Sequence, residues 1–558
     1  MAFPTVLTLL WWLAPIITLP VLAIAIHDYL LRKRLPPGPP PNFLTGNRHQ
    51  IPAQYPWIKF QEWSKVYGGV FTIWLGRRPT IIISDPHIAV ELMEKRSQKY
   101  SSRPRFVVMG EVYWENASIL VQPYGKEWST RRKLLHSALT PRALTQYQTI
   151  QEAEACRMCY QLLSRPNDWE GLLDWMTASI VFSIAYGHRV DSINSPVVRE
   201  RLAIMHYASS LNVPGKYLAE SFPVLRHMPL WLAPWKKDVK RNAAIESGTN
   251  MRLMKLIENG LADEEKAEKL APSLCKSLLE RRQSKPEEFQ LLSDRDLSFI
   301  PASLFGAGAD TTASTLCSAF LALVTHPETL RAAQAEMDAV VGDGRMPTFP
   351  DEADLPYLRA LCKEVLRWRP VAVLGGTPHA TSEQDTYNGW NVPKGTNILG
   401  NTWAINHDER YYPNSQQFNP LRFLDCCALD SDDVSKKLPY LDKSYISSHL
   451  PSVAKPEKQH PGKWGHSSFG WGRRICPGAE LAMGNEFIAL ARLLWGFDIQ
   501  PKEGVKYDVW DYVGGFNVRP RHFECDIKIR SAKHEETLKN EYEGTALDVV
   551  RKYPLFPE

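Results

Sequence analysis

The chain opens on an apolar run: from Ala2 to Ile26 no side chain carries a charge. A run of this length can cross a hydrocarbon core of about 30 Å as one helix. Trp11 and Trp12 lie inside it, Pro4, Pro15 and Pro20 are placed to kink it, and Arg32, Lys33 and Arg34 follow directly. By the positive-inside rule that basic cluster stays cytosolic, and so does the body behind it. A cleaved signal peptide would carry its basic residues ahead of the apolar run, where none stands. The pattern predicts a single-pass transmembrane anchor over residues 1–31. A basic, Pro-rich hinge follows over 32–41, where Pro36-Pro37-Gly38-Pro39-Pro40-Pro41 is stiff, extended and unable to join a helix.

Beyond the hinge the periodicity is mostly helical. Trp57–Tyr67 has helical spacing, Val70–Trp74 and Thr80–Ser84 read as short strands split by Gly76-Arg77-Arg78, and Asp85-Pro86 opens a helix through Glu94. Residues 150–260 are largely helical, broken over Asn212–Trp235 by Pro214, Gly215, Pro223, Pro229 and Pro234. Ser293-Asp294-Arg295-Asp296 caps a long apolar helix that runs to Thr325. Pro301 stands early in it, and a kink or a delayed start is expected there. Leu355–Trp368 is another helix, closed by Pro370, and His522–Arg530 alternates as a strand. The expected fold is mainly α with small β-sheets, one domain over 42–530. A charged tail, 531–558, is expected to be poorly ordered.

Composition changes this picture little. Net charge is +5 over 558 residues, too mild to argue for nucleic acid. Nine cysteines do not form a disulfide framework. Cys156 and Cys159 sit within a helical pattern and read as packed thiols.

One cysteine differs. Phe469-Gly470-Trp471-Gly472-Arg473-Arg474-Ile475-Cys476-Pro477-Gly478 leads into the apolar Ala479-Glu480-Leu481-Ala482-Met483. Glycines let backbone approach a flat macrocycle, and a helix start favours a thiolate. Cys476 is thus a candidate haem-iron ligand. No neighbouring Cys or His completes a zinc site, and no G-x-G-x-x-G is present. On spacing alone, a packed thiol and a haem ligand both remain open.

The pattern F-x-x-G-x-R-x-C-x-G, filled by Phe469, Gly472, Arg474, Cys476 and Gly478, resembles the signature of the haem-thiolate monooxygenases, the cytochrome P-450 family. The resemblance runs from about Pro36 to about Arg530. It implies haem b (iron protoporphyrin IX) held by Cys476, with Arg474, Trp128, Arg132 and His379 as propionate partners; for His379 a surface position on its strand is the alternative. Ala307-Gly308-Ala309-Asp310-Thr311-Thr312 resembles the oxygen-activation motif, which makes Asp310 and Thr311 a proton relay. Gly308, costly in a helix by about 1 kcal/mol, suggests a functional distortion. Glu364, Arg367 and Arg422 resemble a structural triad. Phe106, Met109, Trp114, Ala307, Leu374 and Phe516 fall where the family lines its substrate pocket.

The resemblance further implies NADPH electrons delivered by a separate membrane-bound flavoprotein reductase, with a cytochrome b-type protein as a second donor. Lys126, Arg131, Lys133 and Arg473 are expected to form a basic face for it. The implied activity is insertion of one oxygen atom of O2 into a small, largely apolar organic substrate at the endoplasmic reticulum membrane. The Gly-Trp-Gly-Arg-Arg-Ile-Cys-Pro-Gly-Ala form and Thr402-Trp403-Ala404-Ile405-Asn406-His407-Asp408 resemble filamentous-fungal members of secondary metabolism. The alternatives are an electron-independent haem-thiolate isomerase or dehydratase, and a haem sensor or electron carrier.

Overall fold

Two six-residue strands, Val70–Leu75 and Arg78–Ile83, form an antiparallel hairpin with Ile73 opposite Thr80. Strand Asn397–Gly400 joins in parallel, setting Ile81 beside Ile398, and His379–Ala380 closes the sheet antiparallel, with His379 also opposite Ile398. The computed structural model describes residues 6–213, 215–424, 431–453, 456–515 and 517–557. Phe516, Pro4 and Pro214 lie outside the described residues.

Everything else is dominated by helices. The centre is Asp294–Thr325, which begins with the expected capping box between Ser293 and Asp296. It runs unbroken through Pro301, so no delayed start occurs. Helix Trp169–Tyr186 packs along it, with Trp169 stacked on Phe320 at 4.6 Å between centroids. A Cβ on Gly308 would come within 2.9 Å of a Val181 methyl. That glycine is therefore explained by close helix packing, and the expected functional distortion at this position is not needed. Helices Pro356–Trp368 and Ala479–Gly496 complete the core around the cysteine loop. Among the described residues, Asp294–Thr325 is long and apolar enough to cross a membrane, but it is buried in the core.

The N-terminal residues form a helix, Val6–Arg34, whose body-proximal end docks on the hairpin. Asp28 takes both Nε and Nη2 of Arg77, at 2.9 and 3.0 Å, and Arg32 lies over the Trp74 ring. The Pro-rich segment is extended as expected, and it is also fastened to the sheet: Thr72 N–H donates to the Pro37 carbonyl, and Asn47 Nδ2 to that of Pro39.

Two polar stretches are more ordered than their composition suggests. The C-terminal tail forms helices Ala532–Glu541 and Leu547–Lys552, and Tyr542 stacks on Tyr160 at 3.9 Å. Phe556 meets Phe182 edge-on, and its N–H donates to the Arg189 carbonyl. The expectation of a poorly ordered extension is corrected: a few apolar residues among the charges, Leu538 and Val550 included, are enough to bury one side. Between the triad and the cysteine loop, Ser431–Lys437 and Lys443–His449 are helical, and Tyr440 and Tyr445 bond to Glu336 and Tyr357.

Candidate functional site

The cysteine loop is built from its backbone outward. Cys476 N–H donates to the Phe469 carbonyl at 2.9 Å, closing the loop on itself. Gly472 has φ +56°, and a Cβ there would sit 1.9 Å from the Met93 carbonyl oxygen, so only glycine fits. Phe469 packs edge-on against Trp464. Cys476 is half-buried, and the helix Ala479–Gly496 starts three residues later with its positive end toward the sulfur. Burial pushes the Cys476 thiol up, while the Gly478 N–H and the Arg132 charge pull it back. A cation bonded to sulfur would displace that proton outright.

The loop is held from behind by a buried charge network. Arg367 donates from Nε and Nη2 to the two oxygens of Glu364 at 2.6 and 2.8 Å, and both residues are fully buried. Arg422 reaches Glu364 at 3.4 Å, and burial first, then the Arg367 charge, pushes Arg422 down to about 10. Arg367 also binds the Asn406 carbonyl. Asn406 in turn accepts from Ser467 N–H and donates to Ser468 Oγ, at 3.0 Å each, immediately before the loop. The structure thus brings together Glu364, Arg367 and Arg422, and connects them to the cysteine loop through Asn406.

On the other side of Cys476 three guanidiniums converge. Arg132 donates from Nη2 to the Ile475 carbonyl, one residue from the sulfur. Arg474 binds the Ser101, Ile119 and Gln122 carbonyls and lies over the Trp128 ring. Arg103 binds the Leu120, Thr377 and Pro378 carbonyls. Burial, then the like charges of Arg103 and Arg132, push Arg474 down to about 8. Burial and then Arg132 push Arg103 down to about 9. Among the described residues no carboxylate pairs with any of the three. His379 stands beside them, buried in its strand rather than at the surface, with Nδ1 donating to the Tyr100 carbonyl at 2.8 Å. Burial and the Arg103 charge push His379 down to about 3, so it is neutral. Buried cations require a counter-charge. Three such cations beside a cysteine suit an anionic ligand, which fits the two propionates of haem.

The long helix leaves one stretch of its surface uncovered. Ala307 is exposed and Gly306, Gly308, Asp310 and Thr311 are half-buried, in a helix whose other faces are packed. Thr311 Oγ1 donates to the Ala307 carbonyl at 2.7 Å, leaving its oxygen free to accept. Asp310 Oδ2 accepts from Asn517.

The family model for cytochrome P450 matches residues 36–510. The chain belongs to the cytochrome P450 family. Cytochrome P450 monooxygenase 58 of Postia placenta is 34% identical over 540 residues, covering 91% of this chain and 93% of the relative. Cytochrome P450 monooxygenase FrzL of a Cladobotryum species is 32% identical over 549 residues, covering 95% and 96%. Cytochrome P450 monooxygenase aneD of Aspergillus aculeatus is 30% identical over 531 residues, covering 93% of each. A solved zebra fish cytochrome P450, a structure with abiraterone, superposes with a TM-score of 0.66 at 23% identity, covering 85% of this chain and all of that one. This cytochrome P450 is therefore an oxidoreductase that incorporates molecular oxygen.

Its sequence-expected residues fall into three groups. Phe469, Arg474, Cys476, Gly478, Trp128, Arg132 and His379 gather at the cysteine loop as described. Phe106, Met109 and Trp114 join one apolar cluster with Phe299 of the long helix, but the Trp114 indole is buried and donates to Glu246 Oε2 at 2.9 Å. Leu374 is half-buried between two core clusters. The basic-face expectation is corrected at Arg131: its side chain is buried and pairs with Asp296 at 3.0 Å, so Lys126, Lys133 and Arg473 alone face outward. Cys156 and Cys159 are packed thiols, as expected, both raised by burial. Sequence reading missed Arg103, Asn517 and the link that Asn406 makes between the triad and the loop. None sits in a spaced motif, and each acquires its role only across the fold.

Proposed function

We propose that this cytochrome P450 is a membrane-anchored haem-thiolate monooxygenase that inserts one oxygen atom of O2 into a small, largely apolar organic substrate of fungal secondary metabolism. The observation that carries the reading is the convergence of Arg103, Arg132 and Arg474, without a carboxylate partner among the described residues, beside Cys476. Cys476 would hold the iron, Trp128, Arg132, Arg474 and Arg103 the propionates, and Phe469 and Gly478 would shape the loop. His379 would stand beside them as a neutral neighbour, with Nδ1 committed to the Tyr100 carbonyl. Haem bound through a thiolate supplies oxygen activation, because the sulfur pushes electron density to iron.

The remaining roles belong to the chain's own side chains. Asp310 brings protons from the solvent side, and Thr311 accepts and orients them at the exposed face of the helix. Glu364, Arg367 and Arg422 keep the cysteine loop in register through Asn406. Phe106, Met109, Ala307 and Leu374 exclude water around an apolar substrate, and Trp114 holds that wall to Glu246.

NADPH electrons would arrive through a separate flavoprotein reductase, with a cytochrome b-type protein as alternative donor. Lys126, Lys133 and Arg473 would favour an acidic partner surface, so reduction should slow at high salt. The helix Val6–Arg34, with apolar Leu19, Leu22 and Ile26 exposed and Arg32, Lys33 and Arg34 at its end, supports a single pass through the endoplasmic reticulum membrane with a cytosolic body. The relatives' fungal sources support the pathway class. Expression with a reductase and candidate substrates, read as product per NADPH, tests the reading. Turnover without NADPH would replace it with an isomerase or dehydratase.

A further inference from the structure

The carboxylate of Asp310 has its partner outside its own helix. Asn517 Nδ2 donates to Asp310 Oδ2 at 2.6 Å. Asn517 lies in the hairpin between strands Tyr512–Val513 and Arg519–Pro520. Two residues on, Arg519 grips Asp174 of helix Trp169–Tyr186, from Nη1 at 2.7 Å and Nη2 at 3.2 Å. One hairpin therefore holds two carboxylates, one on each of two packed helices, and these carboxylates feel each other's charge.

The two grips differ in kind. Arg519 neutralises Asp174 with a bidentate ion pair. Asn517 is a neutral donor: it fixes the direction of Asp310 without cancelling its charge, and it engages one oxygen of the two. A single amide therefore fixes the direction of the Asp310 carboxylate. A charged partner at 517 would lock Asp310 as an ion pair, and an apolar one would leave its rotamer undecided.

We propose that Asn517 is a positioning residue for Asp310, setting the orientation from which that carboxylate passes protons to Thr311. This rests on the relay reading of Asp310 and Thr311 given above.

The test uses the full-length holoprotein in reductase-containing membranes, with retention of the reduced-carbonyl band as the check on folding. Oxygen reduced to water against oxygen released as peroxide, per NADPH consumed, needs no knowledge of the substrate. Asn517→Ala should lower that ratio about tenfold, the equivalent of one hydrogen bond to a charged group, and Asn517→Ser should recover part of it. A second readout is the thermal midpoint of the resting ferric protein in a double-mutant cycle with Asp310→Ala. Asn517→Ala should lower the midpoint in the parent and much less in the Asp310→Ala background. Equal losses in both backgrounds, or an unchanged ratio in Asn517→Ala while Asp310→Ala alters it, would overturn the positioning role. An unchanged ratio in Asp310→Ala itself would remove the relay reading on which the role rests.

Discussion

The guanidinium of Arg474 lies 4.1 Å from the centroid of the Trp128 ring, although the two residues belong to separate helical and loop segments. The indole face screens a cation whose hydrogen-bond partners, among the described residues, are the Ser101, Ile119 and Gln122 carbonyl oxygens. Replacing Arg474 by Leu removes a charge-assisted contact worth roughly 1.5–3 kcal/mol. Haem loss to excess apomyoglobin should then be about ten- to a hundredfold faster than in the parent. Trp128→Ala should speed it less, and the double variant should fall short of the product of the two effects.

Cys476→Ser should leave a folded protein without the red-shifted Soret band of the reduced carbonyl complex. The Asn406 and Glu364 contacts that hold the loop do not involve the sulfur, so near-parental melting is expected alongside the spectral loss. A retained band would displace Cys476 as the ligand.

Thr311→Ala should keep haem content and raise peroxide release per NADPH several-fold. Among the described residues its hydroxyl bonds only to the Ala307 carbonyl of its own helix, so little structure depends on it. Parental peroxide release would argue against the relay.

Glu364→Ala should abolish folded, haem-loaded protein. It strands Arg367 and Arg422 in the interior, and breaking a buried ion pair from one side costs about 3–5 kcal/mol. Haem content per chain and thermal unfolding read this directly.

Glu486 is buried on the helix after the cysteine, with Oε1 lacking a hydrogen-bond partner among the described residues, and burial pushes its carboxyl well above the usual range. The folded state therefore favours the protonated form, while the unfolded chain releases the proton at about pH 4.3. Stability is full below that value and falls as pH rises toward the folded-state pKa. Glu486→Gln should remove this fall. The gap between the melting curves of variant and parent should widen by about 1 °C for each pH unit above 5, taking an unfolding entropy of about 2.1 cal/mol/K per residue. A gap that stays constant with pH would refute the assignment.

Much of this is legible in the sequence. The hairpin at residues 70–83 follows from two short β-rich runs split at Gly76, and the long helix from Ser293 and Asp296 acting locally as a capping box. The triad pair Glu364 and Arg367 is one helical turn apart, so its geometry is nearly local as well. The charged tail misled, because its charges outnumber the few apolar residues that dock it. Arg131 misled in the same way: its spacing says only which face of a helix it occupies, and Asp296 turns that face inward.

The sequence by itself determined what depends on neighbours within a turn or a strand: the helix caps, the hairpin, the loop glycines, and the one cysteine set before an apolar helix. The tertiary structure alone decided which charges are buried and with whom. Arg132 meets Ile475 across 343 residues, and Asn517 meets Asp310 across 207. Such contacts follow from how whole helices and strands are packed together, and a charge or an amide acquires its chemistry only once that packing has removed it from water.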